Sequence, residues 1–469
     1  MTDRPDTTSK RPVRIRRVTR LVTLALGVVA IAGALLADLL LVGPAGFGSA
    51  QKLALVAGIA LIACCLLPIR WNQRILTFAV SAGSCLLLVE LGLRTFTDLN
   101  QSIYEADPHC IYRIRPNATK VFRRIPANGG ERITNRSNRH GYRGDALRDS
   151  GGGPRIVVFG DSFIEAEFSA DADTFTQRLT SELSPGLPSV EVINAGVLGY
   201  GPDQVLARME KEIPILRPDL VIVSIFAGND FGDLVRNRMY RLDDRGDLVP
   251  NPFEIDRSVA ISFRKRHGNS ILYSFLHTTV TRIRLRWTSV GAAANDYDLH
   301  TLVDYCLEKC VYEFDTAVTG EQHVIHAHEL LLDQYDADIA LTSDSASARY
   351  KVRLMDRLLG ALGDVVRRHD VPLLLLAIPE RIDLYPPEIG VNREKYPHYD
   401  PTALTDAIAS AASTHGLSCI DLFEPFLADA GADLYFRGSN NHWNDRGQAF
   451  AAKLVADRIR EHGWFDGAP

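Results

Sequence analysis

Ile156-Val157-Val158-Phe159-Gly160-Asp161-Ser162-Phe163 is a short β-branched and aromatic run that breaks at a glycine and delivers Asp and Ser just beyond it. A strand apolar on both faces belongs inside a sheet, and a glycine followed by polar residues marks its turn. Similar runs recur at residues 190–193, 220–226, 372–378 and 417–421. Helical patterns at residues 174–183, 204–212, 350–368, 403–413 and 447–460 fall between or after them. This alternation predicts an α/β domain over residues 155–465, built on a doubly wound parallel five-stranded sheet. Chemistry in such a sheet belongs at the carboxyl ends of the strands.

The alternation lapses over residues 232–347, a helix-rich insertion readable as a lid beside the site or as a peripheral decoration. Within it, Arg264, Lys265, Arg266, Arg282, Arg284 and Arg286 make a basic segment. A solvated helix face accounts for it more simply than an anionic lipid or polysaccharide does. His323, His326 and His328 match no familiar zinc spacing, and helical positions five apart diverge, so a polar patch is expected there. No metal and no cofactor is expected.

Upstream lies a different chemistry. Residues 1–20 form a basic tail carrying Lys10, Arg11, Arg14, Arg16, Arg17 and Arg20. Apolar stretches follow at residues 21–43, 53–69 and 75–93. A membrane crossing needs ~20 apolar residues, so the membrane region 21–94 is predicted to hold three transmembrane helices. The first stretch exceeds the ~7–15 residues of a signal-peptide core. The basic tail, Arg70 and Arg74 suit the cytoplasmic side. Three crossings then put everything beyond Arg94 on the periplasmic or extracellular side of an inner (plasma) membrane. Loss of the second crossing would return it to the cytoplasm. Residues 95–154 read as a connecting region, rich in turn signals and too poor in apolar residues for a core of its own.

The net charge of −5 over 469 residues gives no case for nucleic-acid binding, which needs a basic face or stripe. Cys64, Cys65 and Cys85 fall in the spans, and Cys110, Cys306, Cys310 and Cys419 lie beyond them, with pairing left open.

Polar residues collect at particular strand ends. After Gly160-Asp161-Ser162 come Asn194-Ala195-Gly196-Val197-Leu198-Gly199-Tyr200-Gly201 and Ala227-Gly228-Asn229-Asp230, and late in the chain Ser439-Asn440-Asn441-His442-Trp443-Asn444. A serine just past a strand presents its hydroxyl at the sheet's edge. It needs a base to become a nucleophile, and His442 is the candidate.

Together these blocks resemble the SGNH/GDSL hydrolase superfamily over roughly residues 155–462. The resemblance implies a flavodoxin-like sheet with Ser162 as nucleophile and His442 as base. It also implies that Gly199 (backbone N–H) and Asn229 (side-chain amide) are the oxyanion donors. Asn138-Arg139-His140-Gly141-Tyr142-Arg143 and Glu90-Leu91-Gly92-Leu93-Arg94 are similar to segments of membrane-tethered bacterial cell-envelope members. One departure is plain: where the family carries Asp before the histidine, this chain has Ser439 and Asn440. Either a Ser162–His442 dyad works with the oxyanion donors alone, or Asp421 or Asp445 supplies the missing charge.

The expected protein is a membrane-anchored serine esterase or O-acyltransferase working through an acyl–Ser162 intermediate. Its expected partners are the lipid bilayer and an acylated envelope carbohydrate or small ester, beside envelope polysaccharide machinery. Two alternatives stand: a catalytically silent binding module of envelope polysaccharide assembly, suggested by Asn440, and a lipid-directed esterase.

Overall fold

The structure, a computed structural model, describes residues 10–40, 49–96, 103–148, 152–268, 299–319, 323–326, 330, 334–438 and 441–466. The chain divides into two compact units, Met1–Asn100 with Gly268–Arg282, and Gln101–His267 with Ile283–Pro469.

The first unit contains helices α1 (Lys10–Leu40), α2 (Ser49–Cys64) and α3 (Ile69–Phe96). Helices α1 and α2 run antiparallel: Gln51 Nε2 donates to the Ala34 carbonyl at 3.2 Å, and Cys65 Sγ to that of Arg20 at 3.6 Å. Between these contacts Gly27 faces Gly58, and a Cβ on either would lie 2.7–2.8 Å from the other's carbonyl oxygen. Glycine on both sides lets two apolar backbones touch. Two stretches, Arg16–Leu35 and Ile69–Gly92, are long and apolar enough to cross a membrane. The middle stretch is shorter than the sequence suggested, with its apolar part limited to Ala54–Cys64. At 1.5 Å per residue the 16-residue α2 is about 24 Å long, against ~30 Å of bilayer hydrocarbon.

The second unit is built on strands β1 (Arg155–Gly160), β2 (Glu191–Gly196), β3 (Leu220–Phe226), β4 (Leu373–Ile378) and β5 (Ser418–Asp421). All five are parallel, in the order β2-β1-β3-β4-β5. Successive side chains of a strand point to opposite faces. Accordingly Val157, Phe159, Val221, Val223 and Leu375 enter one core, and Ile156, Val158, Leu220, Ile222 and Leu374 enter the other. A sheet buried on both faces needs the apolar strands that the sequence displays. The strand order reverses between β1 and β3, where a crevice opens at the carboxyl edge.

Helices α4 (Ser162–Glu165), α5 (Phe175–Leu183), α6 (Pro202–Leu216), α7 (Asp230–Asn237), α8 (Leu299–Thr319), α9 (Ala346–Arg367), α10 (Ala403–Thr414) and α11 (Asp445–His462) surround the sheet. Tyr104–Asp107 pairs with Ile111–Ile114, and Thr119–Arg123 with Arg132–Arg136, as antiparallel hairpins. Ile111, Tyr112 and Ile114 are buried in the same core as Val157 and Phe159. The region expected to be a mere connector therefore shares the sheet's core, which is why its few apolar residues suffice. In the insertion, Phe253–Ile255 pairs in parallel with His323–Ile325. The side chains of the basic segment 264–286 lie outside the described residues. All seven cysteines are free thiols.

Candidate active site

Strand β1 ends at Gly160, and the Asp161 carboxylate accepts the Phe163 N–H at 3.0 Å, capping the short helix α4. Ser162 is buried at its first position, with Oγ 2.6 Å from Nε2 of His442. The histidine is fixed from its other side by the chain that carries it. Its carbonyl accepts the Phe436 N–H at 2.9 Å, Trp443 beside it is fully buried, and Asn444 caps α11 through the N–H groups of Arg446 and Gly447. The imidazole packs against Phe163 and Phe168, with ring centroids 5.0 and 5.3 Å away. This burial pushes its pKa down to about 4, opposed by the negative charge of Glu167. The ring is thus neutral at ordinary pH, the form that accepts a proton.

Asn229 follows β3 at the amino end of α7. Its Nδ2 donates to Asp233 at 3.0 Å, and its carbonyl accepts from Arg236, which also pairs with Asp233 at 2.5 Å. An amide NH2 has two hydrogens, so the bond to Asp233 sets its orientation and is compatible with a second donation. Gly199 lies in the turn after β2 with φ of +71°, the left-handed region that favours glycine. That turn is pinned on both sides: Leu198 N–H donates to Glu165 at 2.6 Å, and its carbonyl accepts the Tyr112 hydroxyl at 2.7 Å.

A cavity of about 700 Å³ opens beside this group. His442, Asn441 and Asn229 are on its wall, whereas Ser162 and Gly199 are not. Leu302, Tyr305, Gln334 and Tyr335 come from the insertion, which therefore forms part of the wall.

The two alternative acids are engaged elsewhere. Asp445 accepts from the two terminal guanidinium nitrogens of Arg124, at 2.6 and 2.9 Å, and from the Ser169 hydroxyl at 2.9 Å. Asp421 ends the edge strand β5, three strands from β1, or about 14 Å at the usual strand spacing. It accepts the Phe423 N–H at 2.8 Å. Asn440 lies outside the described residues. His323 bonds the Asn237 carbonyl at 2.7 Å, His326 approaches Asp256 at 3.6 Å, and His328 is outside the described residues. Cys310, Asp336 and Asp338 bring three ligand-type atoms together, and Lys351 Nζ, 2.7 and 3.0 Å from the two carboxylates, supplies the cation.

Sequence reasoning missed Glu165 and Glu380, and it placed Arg143 in a motif without giving it a role at the site. Glu165, three positions after Ser162, holds the Gly199 turn, and burial beside Glu167 raises its pKa to about 7. Arg143 donates to the carbonyls of Glu165, Ala166 and Ser169, gathering the loop after Ser162. Glu380 stands just past β4 on the cavity wall. The rule that polar residues at strand ends carry chemistry, applied to β4 as to β1 and β3, would have found it.

Residues 344–469 match the family described as "ALGX: SGNH hydrolase-like domain, acetyltransferase AlgX", a segment holding His442 but not Ser162 or Asn229. No curated protein matches the chain. Among solved structures, it is similar to the lipase/acylhydrolase from Enterococcus faecalis at 14% identity, covering 66% of this chain and 96% of that one, with a TM-score of 0.32. TesA is similar at 13% identity, covering 66% and 98%, with a TM-score of 0.32. The acetyl xylan esterase AlAXEase is similar at 14%, covering 66% and 98%, with a TM-score of 0.31.

Proposed function

We propose, from the premise that the chain carries an SGNH hydrolase-like domain, that it is a membrane-anchored serine esterase or O-acyltransferase acting on an acylated envelope carbohydrate. The observation that carries the reading is the 2.6 Å contact between Ser162 Oγ and His442 Nε2. In the first half-reaction His442 takes the hydroxyl proton as Oγ adds to the ester carbonyl carbon. The oxygen that becomes negative is stabilised by Asn229 Nδ2 and, in the same scheme, by the Gly199 N–H. Collapse expels the alkoxide, which recovers the proton from His442, leaving acyl–Ser162. In the second half-reaction His442 deprotonates water or a sugar hydroxyl as its oxygen adds to the acyl carbon; the acyl–Oγ bond then breaks, and Ser162 Oγ takes the proton back from His442. Hydrolysis and transfer differ only in that acceptor. Release of acetate from a partially acetylated oligosaccharide, or its passage to an unacetylated one, tests the scheme. A chain that does neither contradicts it.

A second reading rests on Asn440. A carboxylate at that position would stabilise imidazolium, and its amide counterpart in a serine protease costs about four orders of magnitude in turnover. A silent binding module would follow if both the wild type and Asn440→Asp proved inert. Activity appearing only in Asn440→Asp would mark a scaffold one substitution away from catalysis.

The helical unit supports membrane attachment through α1 and α3. Leu86, Leu87 and Leu88 of α3 are more than half exposed, which suits a lipid surface. The antiparallel, glycine-mediated contact of α2 with α1 favours α2 as a return crossing, which makes three crossings and an exported second unit. A reporter active only outside the cytoplasm, fused after Pro469, should give signal. Signal from a cytoplasm-specific reporter would leave two crossings.

A further inference from the structure

The acyl-transfer scheme leaves one buried carboxyl of the cavity unused. Glu380 follows β4, which lies beside β3, which lies beside β1. Ser162, Asn229 and Glu380 thus issue from the carboxyl ends of three consecutive strands. At a spacing of ~4.8 Å per strand, Glu380 stands about 10 Å along the sheet edge from the strand of the nucleophile. That is room for a sugar ring between the reacting ester and the carboxyl.

The side chain belongs to the site on three further counts. Only 7% of it is exposed, and it forms part of the wall that carries His442 and Asn229. Its Oε2 accepts from Nδ2 of Asn441, the neighbour of His442, at 3.4 Å. A Cβ on Gly228 would collide with the same oxygen, so glycine beside Asn229 is what lets the carboxyl in. Around it the wall offers the rings of Phe168, Tyr305, Tyr335 and Phe436.

A carboxyl and an amide among aromatic faces suit a polyol. Rings cover the C–H faces of a sugar, and the carboxyl and amide meet its hydroxyls. An acyl chain would add nothing to the hydrogen bonds this carboxyl already accepts, whereas a sugar hydroxyl supplies a further one. We infer that Glu380 is the residue that recognises sugar hydroxyls near the ester, making the cavity selective for acylated carbohydrates over lipid esters. Burial raises its pKa to about 7, with Asn441 and the backbone N–H groups of Arg381 and Ile382 acting against the shift. Both protonation states can serve, since the ionised form accepts from a hydroxyl and the neutral form can also donate.

The inference rests on the proposed site but not on its turnover, so equilibrium binding tests it. Calorimetry of the full chain in detergent, in the Ser162→Ala background, should detect a partially acetylated xylo-oligosaccharide. Adding Glu380→Ala should weaken that binding at least ten-fold, and the nearly isosteric Glu380→Gln by less, with thermal unfolding of both variants unchanged within a few degrees. Binding equal in all three proteins overturns the inference, as does absence of sugar binding or tighter binding of an octanoyl ester than of the sugar. Failure of the acyl-enzyme reading would appear separately, as a wild type whose Ser162 does not react with a fluorophosphonate.

Discussion

Nε2 of His442 lies 2.6 Å from Oγ of Ser162, although 280 residues separate them in the chain. Strand β1 brings the serine to the sheet edge, and the capped start of α11 brings the histidine over it. If the imidazole is the base, His442→Ala should lower kcat by about 10⁴-fold or more with little change in KM, as loss of a unit's proton acceptor does. A variant keeping a tenth of wild-type kcat would remove His442 from that role.

Asn229 and Asp233 should behave as a coupled pair. Asn229→Ala removes the proposed oxyanion donor and should lower kcat by about 10²–10³-fold. Asp233→Asn weakens the hold on that amide, so a smaller loss, about ten-fold, is expected. The double variant should be no worse than Asn229→Ala alone, since Asp233 acts through Asn229. Strict additivity, measured by steady-state kinetics, would separate the two residues.

The pH profile follows from the half-buried imidazole packed against Phe163 and Phe168. His442 has its pKa lowered from 6.5 to about 4, so it loses its proton-accepting form only as pH falls through about 4. The kcat/KM curve should therefore rise near pH 4 and be level by about pH 6. Glu167 opposes the shift, so Glu167→Gln should move the rise to still lower pH. A rise centred at 6.5 or above in the wild type would show a base in a different environment.

Most of the scaffold was legible because its signals are local. The five strands were readable as apolar runs flanked by turn chemistry, and Ser162, Asn229 and His442 stand at the ends of such signals. Relationships between distant segments were not legible. Asp445 sits three residues from His442 in sequence, yet its carboxylate belongs to Arg124 on a hairpin over 300 residues earlier. Asp421 ends a strand, but strand order, which no local pattern encodes, puts it at the far edge. The hairpins upstream of β1 looked coreless because a sequence window cannot reveal that they share the sheet's core. The middle apolar stretch was over-read because composition marks hydrophobic runs better than it marks where a helix stops.

Arg143 offers a stability test. Its guanidinium serves the carbonyls of Glu165, Ala166 and Ser169 from a buried position. The Ala166 carbonyl keeps the Ser169 N–H, but those of Glu165 and Ser169 lose their donor; at about 1–3 kcal/mol for each, Arg143→Ala should destabilise the domain by about 2 kcal/mol or more. Arg143→Lys should recover little, because an ammonium lacks the planar fork. Denaturant midpoints at constant m-value measure both. An Arg143→Ala protein of wild-type stability would show that the loop after Ser162 is held by other contacts.

The central claim is that Ser162 is an activated nucleophile. Incubation of the detergent-solubilised chain with a fluorophosphonate, followed by intact-mass and peptide mapping, tests it most directly. The account predicts one adduct, on Ser162, absent from Ser162→Ala and strongly slowed in His442→Ala. A wild type that remains unlabelled, or an adduct on another residue, would contradict it.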